Sequence, residues 1–153
     1  MLPLNLPTFP IKMVEKDGKR TIFDPVRKKY VAFTPEEWVR QHFVNYLVTD
    51  KHFPQALLAN EVLIKLNGTS KRCDTVAYNR FLAPLMIVEY KAPSIPITNA
   101  VFDQIARYNM VLRVTYLIVS NGIDHYCCRI DYEKQNYFFL QDIPEYEELE
   151  KEV

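Results

Sequence analysis

Asp74, Glu89 and Lys91 are the residues of this chain whose types and spacing could do chemistry. Asp74 sits in "RCDTVAYN", and fifteen positions later Glu89-Tyr90-Lys91 closes the apolar run Leu85-Met86-Ile87-Val88. Charge buried without a partner is costly, so these groups are either solvated at a strand end or present to hold something. Side chains alternate along a strand, which puts Glu89 and Lys91 on one face. If the strand carrying Asp74 is an antiparallel neighbour, joined through "NRFLAP", its carboxylate lies beside Glu89. Two adjacent carboxylates repel and raise each other's pKa unless a cation sits between them. Mg²⁺ suits that place: a hard ion held by one or two carboxylates, waters and phosphate oxygens, with the Tyr90 backbone carbonyl as a further donor. Lys91 then sets a positive charge beside a reacting oxygen, and the group is equipped for metal-assisted phosphodiester hydrolysis. The competing reading is a solvated Glu-Lys pair on a strand, worth little in itself.

The elements that must position these groups can be read from local signals. "IKMVEKDGKRTIFD" is a hairpin turning at Asp17-Gly18, and "PVRKKYVAF" is an edge segment. "TPEEWVRQHFVNYLVTD" is a helix, with Thr34 as N-cap, Pro35 at the first position and Glu37 completing a capping box. Its buried face is Val39, Phe43, Tyr46 and Leu47. "ANEVLIKLNG", "RCDTVAYN" and "APLMIVEYKAP" are successive strands. "TNAVFDQIARYNMVLR" is a second helix, expected to bury Val101, Ile105, Tyr108 and Leu112. "VTYLIVSNG" is a strand covered on both sides, parallel to the preceding one across a β-α-β crossover. "DHYCCRIDY" and "QNYFFLQDI" form a closing hairpin. The fold class is α/β (α+β): a mixed sheet flanked by helices, with extra hairpin strands at both ends. Residues 1–153 are read as a single domain with an N-terminal arm over 1–10 and an acidic tail from about 145 to 153.

Composition bounds the function. Lys plus Arg and Asp plus Glu each number 19, for zero formal net charge, which argues against nucleic-acid binding by bulk electrostatics. The last nine residues hold five Glu and one Lys, so residues 1–144 carry a net +4. That end is either a solvated tail or a stub where a longer ancestor continued. Cys73, Cys127 and Cys128 form no C-x-x-C pair, and a reducing, cytoplasmic setting fits them. No apolar run reaches membrane-spanning length, and the Pro-interrupted N-terminus is not a signal peptide. Gly18, Gly68 and Gly122 cannot build a G-x-x-x-x-G-K-[ST] loop, so no ATP site is expected on this chain.

In residue type, order and spacing, Asp74 and Glu89-Tyr90-Lys91 resemble the PD-(D/E)xK nuclease superfamily, whose core runs helix, three antiparallel strands, helix, strand. The Pro before the Asp is Cys73 here. "FDPVRKKYVAFTPEEWVRQHFVNYL", "RCDTVAYN", "IVEYKAP", "QIARYN" and "VSNG" are more closely similar to the N-terminal nuclease domain of type I restriction enzyme R subunits and their small stand-alone relatives, over about residues 22–122. A Q-x-x-x-Y signature follows the nuclease motif in that family. Gln104 and Tyr108 match it, at an i, i+4 spacing that puts both on one helix face.

The resemblance implies Asp74 and Glu89 as metal ligands, Lys91 as catalytic lysine, Gln104 near the scissile phosphate and Tyr108 as its support. The implied cofactor is Mg²⁺, with Mn²⁺ able to substitute. DNA is the implied partner, along with other restriction-modification subunits or further copies of the chain. Glu37 either reaches the metal through water or serves only its cap. Arg27, Lys28, Lys29 and Arg40 either contact DNA phosphates or form a solvated basic face. A non-catalytic DNA-binding or assembly module keeping the nuclease fold is the alternative.

Overall fold

The computed structural model describes residues 3–151, so the first two residues of the expected arm and the last two of the acidic tail lie outside the described residues. Three short strands come first: β1 (Met13–Lys16), β2 (Lys19–Asp24) and β3 (Lys29–Ala32), an antiparallel sheet of its own. Asp17 and Gly18, both at positive φ, make its first turn, as the Asp-Gly pair predicts.

Helix α1 (Pro35–Thr49) is followed by β4 (Leu58–Leu66), β5 (Thr69–Tyr78) and β6 (Pro84–Tyr90), each antiparallel to the last. Helix α2 (Asn99–Met110) crosses to β7 (Tyr116–Ser120), which pairs parallel with β6. A hairpin, β8 (His125–Asp131) and β9 (Asn136–Phe139), extends the sheet to the order β4-β5-β6-β7-β8-β9, and α3 (Tyr146–Lys151) follows. The expected order of helix, three strands, helix, strand is therefore present, as a mixed α/β fold. Among the described residues no helix is long and apolar enough to cross a membrane.

Strand alternation divides the core into two layers and thereby orients the site. Met86, Val88 and Tyr90 point to one side of the sheet, where they pack with Val39, Phe43 and Leu47 of α1. Ile87 points to the other side, against Phe102 and Ala106 of α2, together with Leu117 and Val119. Glu89 follows the Ile87 phase, so the sheet presents it under α2. All five residues of β7 are buried, the signature of a strand covered on both faces.

Two elements differ from the sequence expectation. Residues 146–151 of the acidic segment are a docked helix: Tyr146 and Leu149 are 1% exposed, the Tyr146 hydroxyl donates to the Tyr78 carbonyl at 2.9 Å, and Glu150 pairs with Arg80. The glutamates at 147 and 148 stay in water, so an apolar stripe of two residues is enough to fold the segment onto the core. Helix α2 is rotated from the expected face. It buries Phe102, Ala106 and Asn109, and Leu112 just beyond its end is buried as expected, but Tyr108 is left 52% exposed. The arm has no regular structure over residues 3–10, but the Asn5 N–H donates to the Gly122 carbonyl and its own carbonyl accepts from His125 Nε2.

Candidate functional site

β5 and β6 bring Asp74 and Glu89 together. Thr75 is registered with Val88, so one step further along the ladder the two carboxylates fall side by side. Asp74 Oδ2 accepts the Tyr90 N–H at 2.9 Å, which locks that carboxylate onto the end of β6. Tyr90 itself points to the α1 side, where its hydroxyl donates to Thr75 Oγ1 at 2.9 Å. Burial pushes the Glu89 carboxyl up to about 9, helped by the adjacent Asp74 charge and a hydrogen bond with it, while Lys91 acts in the opposite sense. Around neutral pH Glu89 therefore favours its protonated form.

Lys91 follows β6 directly, and its N–H donates to the Ser120 carbonyl of β7 at 2.9 Å. The loop to α2 is tied down by Asn121, whose amide donates to the Ile95 carbonyl. Asp74, Glu89, Tyr90, Lys91, Gln104 and Tyr108 all line one cavity of about 490 Å³ between the strand ends and α2. The rotation of α2 explains this: Val101 and Tyr108, expected in the core, wall the cavity, as does Ile105, which also packs against the core cluster.

The other expected residues lie elsewhere. Glu37 is 5% exposed and does not line the cavity. Its N–H donates to Thr34 Oγ1 as the cap requires, but the carboxylate turns to Arg27 at 2.7 Å, Gln41 at 2.9 Å and Arg40 at 3.1 Å. Arg27 also pairs with Asp24. Burial works to raise the Asp24 carboxyl, and hydrogen bonds from Arg27 and Asn60 hold it below its ordinary value. Arg40 is a buried organiser and not an open phosphate contact. Besides Glu37 it pairs with Glu61 at 2.6 Å and donates to the Asp74 carbonyl. Burial favours discharging this guanidinium, but Glu37 and Glu61 keep its pKa above the usual value. Lys28, on the turn between β2 and β3, and Lys29, at the start of β3, are exposed and away from the cavity lining.

Residues without a motif complete the site. Arg72, two positions before Asp74, lines the cavity, as does Asn109. Asn109 is 2% exposed, and its Oδ1 has no hydrogen-bond partner. Cys73 sits close enough for Glu89 and Asp74 to add to the burial that pushes its thiol to about 12, so it is not a nucleophile at neutral pH. Among the described residues no group of three or more His, Cys, Asp or Glu converges to hold a metal. Asp74 and Glu89 are the acidic side chains that line this cavity, and oxygen donors of that kind could hold a hard ion that keeps several waters.

The family model for the type I restriction enzyme R protein N terminus matches residues 35–144, from the first turn of α1 past the end of β9. The chain belongs to this family. The match to the R-protein N-terminal family takes in Asp74, Glu89, Lys91, Gln104 and Tyr108. Among solved structures, the chain is similar to a fragment of a protein assigned as the HsdR subunit of a type I restriction enzyme from Vibrio vulnificus YJ016. The two share 20% identity over 71% of this chain and 23% of that one, with a TM-score of 0.49. No curated protein matches. Since the chain spans less than a quarter of that R-protein fragment, activity, substrate and partners belong to the proposal that follows.

Proposed function

We propose that this chain is a Mg²⁺-dependent DNA endonuclease-type domain of the PD-(D/E)xK kind. The observation that supports this most is the convergence of Asp74, Glu89, Lys91, Gln104 and Tyr108 on one cavity. Asp74 and Glu89 would hold the ion, with the Tyr90 carbonyl; adjacent oxygen donors fit a hard divalent cation. Bound there, such an ion would polarise a phosphoryl oxygen and lower the pKa of a water. The chain's own residues do the rest. The Tyr90 N–H fixes Asp74 so that its direction is set before any ligand arrives. Lys91, on Glu89's face of the strand, presents positive charge where charge builds up during phosphoryl transfer. Gln104, on the opposite wall, offers an amide for orienting a phosphate or a water, and Tyr108 one turn later shapes that wall. Mn²⁺ would replace Mg²⁺, and the remaining restriction-modification subunits, or other copies of the chain, would supply recognition of a target sequence.

Calorimetric titration with Mn²⁺ tests the assignment. The wild-type protein should bind Mn²⁺ in the millimolar range or tighter, and Asp74→Asn should weaken binding at least ~10-fold, since it removes one of the carboxylates such an ion uses. Undetectable binding by a folded wild-type protein would favour the non-catalytic module.

A further inference from the structure

The hairpin of β4 and β5 continues well beyond the catalytic cavity. β6 is registered against β5 from Tyr78 only as far as Thr75, whereas β4 remains paired with β5 from Val62–Cys73 to Leu66–Thr69. Residues 62–73 therefore overhang the site as a two-stranded arm, roughly 15 Å long at the usual rise per residue. It turns at Asn67-Gly68, both at positive φ, a rigid two-residue tip. The left-handed Glu61, φ 56°, marks where the arm leaves the sheet. Arg40 holds that joint by pairing with Glu61 on β4 and donating to the Asp74 carbonyl on β5.

The arm's charge is of one sign. Lys65, Lys71 and Arg72 are its only charged residues in a chain that is neutral overall. The register puts Lys65 and Arg72 on one face and Lys71 on the other. Lys65 is exposed, and the Arg72 side chain is 65% exposed, with its nearest acid, Glu61, at 3.7 Å. Lys71 places its ammonium 3.8 Å from the centroid of the Tyr108 ring, which links the arm to the cavity wall. Arg72 lines the cavity itself.

We infer that this arm is a phosphate clamp: it grips the backbone of duplex DNA beside the scissile phosphate, through Lys65, Lys71 and Arg72. The inference rests on the nuclease reading, since that reading supplies the substrate. Contacts of this kind position the duplex without reading its sequence, and each phosphate neutralised steepens the negative slope of log affinity against log salt by about 0.9.

Fluorescence anisotropy with a labelled DNA duplex, in EDTA and over a salt series, reads the clamp without cleavage. Joint replacement of Lys65, Lys71 and Arg72 by Gln should reduce the slope by about 2 to 3, and Lys65→Gln alone by about 1. Lys28→Gln with Lys29→Gln, on the other exposed basic turn, should leave the slope as it is. An unchanged slope in the arm variants, a change that follows Lys28 and Lys29 instead, or no duplex binding by the wild-type protein would each overturn the clamp. Melting temperature shows that the variants are folded, and Lys65→Gln keeps the test open if the triple variant is not. Loss of Mn²⁺ binding or plasmid nicking in the wild-type protein would sink the nuclease reading and leave the slope result standing.

Discussion

Arg40→Met is expected to destabilise the protein by about 3–5 kcal/mol, the cost of removing one partner from a buried ionic network. Arg40 is 6% exposed and bonds Glu37, Glu61 and the Asp74 carbonyl, so its loss removes a partner from groups on three elements at once. Glu37 keeps Arg27 and Gln41, but Glu61 is left with only the distant Arg72. Arg40→Lys should recover little, because an ammonium cannot reproduce a planar fork aimed at several acceptors. Urea denaturation followed by circular dichroism measures both variants. A solvated Arg40 that touched only phosphate would lose less than about 0.5 kcal/mol on replacement, the range for surface changes. That result would remove the network from the account.

Glu89→Gln is expected to stabilise the metal-free protein, and to do so in a pH-dependent way. The Glu89 carboxyl is raised to about 9 in the folded protein, from an ordinary value of 4.5. Below 4.5 both folded and unfolded chains carry the proton, and Glu89 contributes no slope. Between 4.5 and 9 the unfolded chain gives it up while the folded chain retains it, so stability falls as pH rises. Above that window both are ionised and the full penalty is in place. Glutamine keeps the shape and a donor toward Asp74 but does not titrate. In EDTA at pH 8 the variant should exceed wild type by on the order of 2–4 kcal/mol, a gap that closes toward pH 5. Thermal melts at the two pH values measure it. Parallel pH dependences for the two proteins would mean that Glu89 is not held beside Asp74 in a dry site. On the proposed function, such a site would give up stability until an ion fills it.

What could be read in advance was local. Thr34 and Pro35 announce α1 because a cap and a first-turn proline act on their own neighbours. Asp17-Gly18 announces a turn, and Asn67-Gly68 the end of a strand, because two consecutive positive φ values suit few other residues. Asp74 and Glu89 could be paired because strand phase and a short connection leave antiparallel neighbours little freedom. The face of α2 was not legible, since Val101, Ile105 and Tyr108 repeat at helical spacing as well as Phe102, Ala106 and Asn109 do. Only the sheet decides which of the two stripes it receives. Tyr146 and Leu149 were hidden among glutamates, where composition outweighed a two-residue apolar face. Arg40 lies in a buried network and Arg72 lines the cavity for a similar reason: an arginine's length lets its surroundings choose between the two, and the chain holds no local record of that choice.

The central claim is that Asp74, Glu89 and Lys91 cut DNA. Nicking of supercoiled plasmid, compared between wild type and Lys91→Ala in Mg²⁺ or Mn²⁺, tests it most directly. The account predicts metal-dependent open circles from wild type, abolished by EDTA, and a rate at least ~10²-fold lower for a variant that melts like wild type, the scale of removing one transition-state charge partner. Nicking that survives Lys91→Ala undiminished would contradict it.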